Sequence, residues 1–336
     1  MRDLHLPNVV ATRRLPGGAL DRLEGVASLR LWSESGPAPP EFVLENLADA
    51  RGLVCIWTDR VDVAVLERAP KLVVISQMAV GVDNIDLSAA TDRGIPVGNT
   101  PGVLVETTAD LTWALILGVG RRITESERYL RSGLWRPETW SLDLLTGRDV
   151  FGKRLGIVGM GRIGTAVARR AAGFDMEVVY SSRSPKDVPG ARPVSLEDLL
   201  EGSDFVSIHC ALTPETRGLI GGEQLALMKP DAYLINTARG GIVDERALIE
   251  SLREGRIAGA ALDVYENEPL DPNSPLLDFD NVVLVPHIGS ASVETRSRMA
   301  HLAVDNLLAG LNGERLPHCA NPVVYEREPF TRGVRP

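Results

Sequence analysis

Three stretches in the second half of the chain run from apolar residues out into polar ones. "YLINTARGGIVDERAL" delivers Arg239, "AGAALDVYENEPL" delivers Asp263 and Glu268, and "VVLVPHIGSA" delivers His287. Their chemistries are complementary. An arginine keeps its proton, so it can grip a carboxylate through a two-pronged fork and polarise a neighbouring carbonyl. A histidine titrates near neutrality and can hand a proton to an oxygen, and a carboxylate beside it favours the charged imidazole. Taken singly, each has an ordinary explanation: a satisfied strand-end histidine, an arginine capping a helix or pairing with Asp244, a glutamate in a turn before Pro269.

A fourth stretch gives the trio a context. "GIVGMGRIG" places Gly159, Gly161 and Gly164 in GxGxxG spacing between an apolar strand and a helical pattern. Such glycines allow a tight turn, close approach of backbone to a pyrophosphate, and close packing of helix on strand. The next strand, "MEVVYSSRSPK", should end in Asp or Glu if the ligand were NAD, to accept from the ribose hydroxyl. It ends instead in Ser182, Arg183, Ser184 and Lys186. Two cations and several hydroxyls suit a 2'-phosphate, so NADP is expected, with NADH possible.

The elements that must position these groups follow from apolar periodicity. From Asn8 to about Thr100 short apolar runs alternate with amphipathic ones, which predicts a small parallel α/β sheet. Val103 to Arg131 reads as one long connecting helix closed by Gly133. From Lys153 the alternation restarts with near-continuous apolar strands, as in a parallel sheet covered on both faces. In such sheets, groups past the carboxyl ends of the strands face the ligand crevice. A last amphipathic helix precedes a polar tail rich in Pro and Arg.

Bulk properties narrow the function classes. At 336 residues the chain has room for two domains, and a net charge of -9 disfavours nucleic acid and anionic membranes. No apolar run reaches the length of a membrane span. The N-terminus lacks an apolar signal segment, and Cys55, Cys210 and Cys319 form no disulfide or metal framework, so a cytoplasmic protein without metal is expected.

In order and spacing, "LVCIWTDRVD", "MAVGVDNID", "NTPGVLVETTADL", "GIVGMGRIG", "LTPETRGLI", "NTARGGIVDE", "LDVYENEPL" and "PHIGSA" resemble the D-2-hydroxyacid dehydrogenases over nearly the whole chain. "YSSRSPK" and Val103 to Leu111 are similar to the glyoxylate and hydroxypyruvate reductase branch. The resemblance implies two Rossmann- or flavodoxin-like domains with doubly wound parallel sheets and an active-site cleft between them. A discontinuous substrate-binding domain, residues 1–100 plus 290–336, would flank a dinucleotide-binding domain, residues 101–289. It implies NADPH-preferring reduction of small 2-oxo acids, glyoxylate or hydroxypyruvate, to D-2-hydroxy acids. Arg239 would bind and polarise the substrate, Glu268 support His287, and His287 donate the proton.

By the same resemblance the amides of Val80 and Gly81 hold the substrate carboxylate, with Ser290 and Trp57 also on the substrate side. Arg162 and Ile163 lie along the pyrophosphate and Asp263 near the nicotinamide; Thr108, Ala211 and Thr237 complete the cofactor contacts. The loop "GLWRPETW", with Trp135 and Trp140, would cross to a second subunit in a homodimer. Two departures bear on subclass. Trp57 stands where this branch usually has a smaller aliphatic residue, and the acidic tip typical of phosphoglycerate dehydrogenases is absent. The competing expectations are a corepressor-like, nicotinamide-sensing binding protein and a dehydrogenase with another substrate such as phosphoglycerate.

Overall fold

The computed structural model describes residues 6–326; His5 and the Pro- and Arg-rich tail beyond Glu326 lie outside the described residues. The chain divides into two compact units, Met1–Leu104 with Ala291–Pro336, and Val105–Ser290.

The first unit opens with β1 (Asn8–Ala11), β2 (Ser28–Leu31), α1 (Pro40–Leu47), β3 (Gly52–Cys55), α2 (Val63–Glu67), β4 (Val74–Gln77), α3 (Leu87–Asp92) and β5 (Val97–Gly98). The strands form one sheet in the order β2-β1-β3-β4-β5, every pair parallel. This is the flavodoxin-like order. Strands β3 and β4 are buried at every position, which is why they read as unbroken apolar runs rather than alternating ones.

The second unit begins with α4 (Val105–Gly120) and α5 (Ile123–Arg131). The single helix expected over this span is therefore two. Arg122 adopts a left-handed conformation at φ 52, and the Gly120 carbonyl accepts from the Arg148 amide at 2.7 Å instead of continuing the helical ladder. Helix α4 is also more than a connector. Ala109, Trp113, Ile116 and Val119 enter the core of this unit, and the Trp113 ring stacks on Phe174 with centroids 4.6 Å apart.

The alternation then runs β6 (Arg154–Val158), α6 (Arg162–Ala171), β7 (Glu177–Ser181), β8 (Ala191–Pro193), α7 (Leu196–Gly202), β9 (Phe205–Ile208), α8 (Gly222–Leu227), β10 (Tyr233–Asn236), α9 (Glu245–Arg253), β11 (Gly259–Leu262) and β12 (Val282–Leu284). All seven strands are parallel, in the order β12-β11-β10-β9-β6-β7-β8. Numbered from β6, this is the doubly wound Rossmann order with one further strand, and its direction reverses between β6 and β9. One apolar cluster lies on each face of the sheet: Leu155, Ile157, Val178 and Tyr180 belong to one, Val158, Val179, Val206 and Leu234 to the other. The alternation along β6 and β7 is the period of two that a strand imposes.

The chain returns to the first unit as α10 (Val293–Leu311), started by a Ser292 hydroxyl that accepts from the Thr295 amide. Met299, Ala303 and Leu307 of α10 are buried, and the Ala303 carbonyl accepts from the Ser76 hydroxyl of β4 at 2.6 Å.

Candidate active site

Arg239, Glu268 and His287 follow three neighbouring strands that end level with one another: Asn236 of β10 pairs with Leu262 of β11, which pairs with Leu284 of β12. Each side chain is then placed by a local device. The buried Asn236 side chain receives the Ala238 amide at 3.0 Å and donates to the Arg239 carbonyl at 2.9 Å, folding the turn that carries Arg239. Gly240 follows, and a Cβ there would collide with the Tyr265 backbone, so only glycine lets this turn approach the segment bearing Glu268. Glu268 accepts from the Tyr265 amide at 3.1 Å through one oxygen and meets His287 Nδ1 at 2.6 Å through the other.

His287 takes a left-handed conformation at φ 51, uncommon for a residue with a side chain. Asp263, 1% exposed, holds it there. Its carbonyl accepts from the His287 amide at 3.0 Å, and its carboxylate accepts from Ile288 and Gly289 at 2.6 and 2.8 Å. Burial pushes the Asp263 carboxyl up to about 6, against the pull of the Ile288 bond and the neighbouring His287. The Tyr265 hydroxyl donates to the Val285 carbonyl at 2.9 Å and steadies the strand end before His287.

The glycine turn lies at the switch point between β6 and β9. Gly159 has φ 100, and a Cβ on it would come within 2.5 Å of the Cys210 amide, so the turn packs directly on the end of β9. A Cβ on Gly164 would strike the Gly159 carbonyl and lie 3.2 Å from Ile157, which is the helix-on-strand packing expected. A Cβ on Gly161 would meet nothing within 4 Å. That open face, at the start of α6 with no acidic residue in the first turn, fits a pyrophosphate. Arg162 is exposed there and Ile163 half-buried. Ala211 follows Cys210 in the loop beyond β9, its carbonyl taken by the Thr216 hydroxyl at 2.7 Å.

Thr108, Thr237 and Asp263 gather on the same side of the unit. Thr108 and Asp263 both flank Gly289, Thr237 directly follows β10, and its hydroxyl lies 3.0 Å from that of Thr112, one turn from Thr108. Ser290 follows Gly289 and is half-buried. At the end of β7, Ser182, Arg183, Ser184 and Lys186 are all exposed. The Ser182 hydroxyl donates to the Ser184 carbonyl at 2.7 Å, so its proton is engaged within the tip. Glu215 is held below the usual carboxylate range, first by a Thr213 hydrogen bond and to a smaller extent by the charge of Arg183.

In the first unit the turn Ala79–Gly81 follows β4. The Ala79 carbonyl accepts from Thr100, the Val80 carbonyl from Asn99 at 2.9 Å and the Gly81 carbonyl from Gln77 at 2.6 Å. With all three carbonyls engaged, the polar groups the turn can still offer are N–H donors, which suits an anion. Trp57 sits in the turn after β3. Asn84 donates to the flanking carbonyls of Ile56 and Asp59, and to the Gln77 side chain.

Several supporting residues are missing from the sequence-based set: Gln77, Asn84 and Asn99 behind Val80 and Gly81, and Asn236, Gly240 and Tyr265 behind Arg239 and His287. The double glycine after Arg239 was their one visible signal. His209 is structural, its Nε2 2.8 Å from the Ser207 hydroxyl, with burial pushing it down to about 3. Among the described residues no group of His, Cys, Asp and Glu could hold a metal ion, and no helix is long and apolar enough to cross a membrane.

Residues 113–289 match the model of the D-isomer specific 2-hydroxyacid dehydrogenase NAD-binding domain. The chain is 50% identical to the glyoxylate reductase of Korarchaeum cryptofilum, covering 96% of this chain and 98% of that one. It is 49% identical to the glyoxylate reductase of Aeropyrum pernix over 96% and 98%. Among solved structures, a protein from Thermus thermophilus superposes with a TM-score of 0.88 at 50% identity, covering 93% of this chain and 99% of that one. The NADPH-dependent glyoxylate/hydroxypyruvate reductase of Sinorhizobium meliloti, solved with NADP and malonate, has a TM-score of 0.83 at 33% identity over 94% and 98%. The chain belongs to the D-isomer specific 2-hydroxyacid dehydrogenase family and is an oxidoreductase of that family.

Proposed function

We propose that this protein reduces small 2-oxo acids, glyoxylate or hydroxypyruvate, to D-2-hydroxy acids, with NADPH preferred to NADH. The observation that carries the reading is the 2.6 Å pairing of His287 Nδ1 with Glu268, beside the turn of Arg239 and on the same sheet as an open glycine turn. A reduced nicotinamide, when bound, supplies the hydride. The protein does the rest. The glutamate accepts at Nδ1, which fixes the ring and makes Nε2 the atom that gives a proton to the substrate oxygen. Arg239 takes the carboxylate and polarises the carbonyl; its charge favours the transition state, in which the oxygen becomes negative.

The Val80 and Gly81 amides are assigned to the substrate carboxylate, and Ser290 to the substrate side. Trp57 is assigned to the limit on substrate size, so Trp57→Leu should raise kcat/KM for hydroxypyruvate relative to glyoxylate. An unchanged ratio would remove it from the site. Cofactor contacts are assigned to Gly159, Gly161, Gly164, Arg162, Ile163, Thr108, Ala211, Thr237 and Asp263. The tip Ser182, Arg183, Ser184 and Lys186 is assigned to the 2'-phosphate, since its cations and hydroxyls suit a phosphate and it carries no carboxylate to repel one. Loss of reduced-nicotinamide absorbance with a panel of 2-oxo acids and both coenzymes tests the whole reading. Absence of turnover on every acid would favour the binding-protein alternative.

A homodimer belongs to the same proposal. No residue of α5 is buried, and Leu134, Trp135, Trp140 and Leu142 after it are exposed. Apolar surface of this kind is usually covered by a partner. Light scattering decides it, and a monomer mass would end the claim. The three unpaired cysteines support a reducing compartment, the cytoplasm; a secreted or membrane-bound native fraction would contradict it.

A further inference from the structure

Tyr180 is the last core residue of β7 before the basic tip, and nothing assigned so far uses it. Its ring is 1% exposed and lies in the cluster with Val178, Ala166 and Ala168, with Val188 and Ala191 packed against that cluster. A buried tyrosine must find partners for its hydroxyl. Here both partners belong to one residue: the hydroxyl donates to the Lys186 carbonyl at 2.7 Å and accepts from the Lys186 amide at 2.8 Å.

The place of this clasp matters. Strand β7 stops at Ser181 and β8 starts at Ala191, so no ladder holds the backbone between them. Ser182 to Asp187 are exposed, and within that stretch the other internal tie is the short-range Ser182 to Ser184 bond. The start of the tip is anchored where the Ser181 carbonyl accepts from Gly159 of the glycine turn at 2.8 Å. The clasp on Lys186 anchors its other end. Arg183 lies between the two anchors.

We propose that Tyr180 is a positioning residue for coenzyme choice, holding the tip in the curve that aims Arg183 at an adenosine 2'-phosphate. The proposal rests on the reading of NADPH preference above. An exposed segment of this length would otherwise sample many shapes, and ordering it on binding would weaken the contact. Two bonds from a rigid, buried ring order it before the coenzyme arrives. NADH carries no 2'-phosphate, so its binding draws little on the aim of Arg183.

Tyr180→Phe keeps the ring and removes both bonds. KM for NADPH should rise roughly two- to ten-fold, the range for losing hydrogen bonds of ordinary strength, while KM for NADH moves much less. Amide exchange at Lys186, followed without coenzyme, should be slow in the unmodified protein and fast in the variant. Arg183→Ala and the double variant complete the set; if Tyr180 acts through Arg183, the double variant is no worse for NADPH than Arg183→Ala. Should Arg183→Ala leave NADPH untouched, the coenzyme reading is wrong and this proposal falls with it. If Arg183→Ala weakens NADPH but Tyr180→Phe does not, or weakens both coenzymes equally, that reading stands and the positioning role is overturned. Fast exchange at Lys186 in the unmodified protein would overturn it too, whether or not the variant folds.

Discussion

The two ends of the seven-stranded sheet are built to different standards. At the ends of β10 to β12 the polar groups are enclosed and multiply held. The side chains of His287 and Glu268 are 22% and 21% exposed, Asp263 binds three consecutive amides through its carbonyl and carboxylate, and Asn236 and Tyr265 tie down the turns. At the end of β7 the tip is exposed throughout and hangs on the Tyr180 hydroxyl. Proton transfer tolerates little misplacement, whereas a phosphate is recognised by charge and by a fork that can adjust. The enclosed end should therefore respond to substitution by losing rate, and the open end by changing coenzyme preference.

The sharpest break in that comparison is His287→Ala. Removing a general acid should lower kcat roughly 100- to 10,000-fold with NADPH binding nearly intact, as steady-state kinetics would show. A turnover like that of the unmodified protein would take His287 out of the mechanism. Arg239→Ala comes next. A fork that holds the carboxylate before and during reaction, as proposed for Arg239, predicts that KM rises and kcat falls together, about a hundred-fold or more in kcat/KM. Arg239→Lys should restore little; full restoration would show that charge alone suffices.

At the open end the effects are smaller and selective. Arg183→Ala should cost about ten- to a hundred-fold in kcat/KM for NADPH and leave NADH almost unchanged, with the penalty shrinking in high salt. Ser182→Asp should invert the preference by repelling the phosphate and offering the ribose an acceptor. Equal use of both coenzymes by the unmodified protein would reduce the tip to a solvated loop. Glu215→Gln removes a carboxylate that competes for Arg183, and NADPH affinity should improve by at most a few-fold, as for exposed pairs. A loss of affinity would place Glu215 among the coenzyme contacts.

The smallest effect concerns stability. His209 is pushed down to about 3 by burial, from an ordinary value near 6.5 in the unfolded chain. Between those values the unfolded chain binds the proton and the folded one does not, so His209 lowers stability as pH falls below about 6.5. His209→Gln should flatten the fall of Tm with acidification; an identical Tm profile would show that other groups dominate it.

Much of the site was legible along the chain because its signals are local. A period of two marks strands, near-continuous apolar runs mark buried parallel ones, and a glycine turn between strand and helix has its own spacing. Arg239, Glu268 and His287 could be nominated from the sequence because each lies within a few residues of a recognisable strand end. The break at Arg122 was not legible, because what ends α4 is the Arg148 amide on the Gly120 carbonyl, a partner across a loop. Nothing in "VVYSSRSPK" says that the Tyr180 hydroxyl meets Lys186, since that depends on the path the chain takes between β7 and β8.

What the sequence determined by itself is therefore the inventory: two parallel α/β sheets, the glycine turn, the cationic tip and three chemically complementary side chains past strand ends. The tertiary structure alone decided their company. It set Asp263 under the amides of Ile288 and Gly289, 25 and 26 residues away, and Glu268 against His287, 19 residues away. It also brought Gly240 against Tyr265. The physical reason is that local pattern fixes where a strand begins and which way its side chains alternate, while its neighbours depend on the order in which the whole sheet assembles.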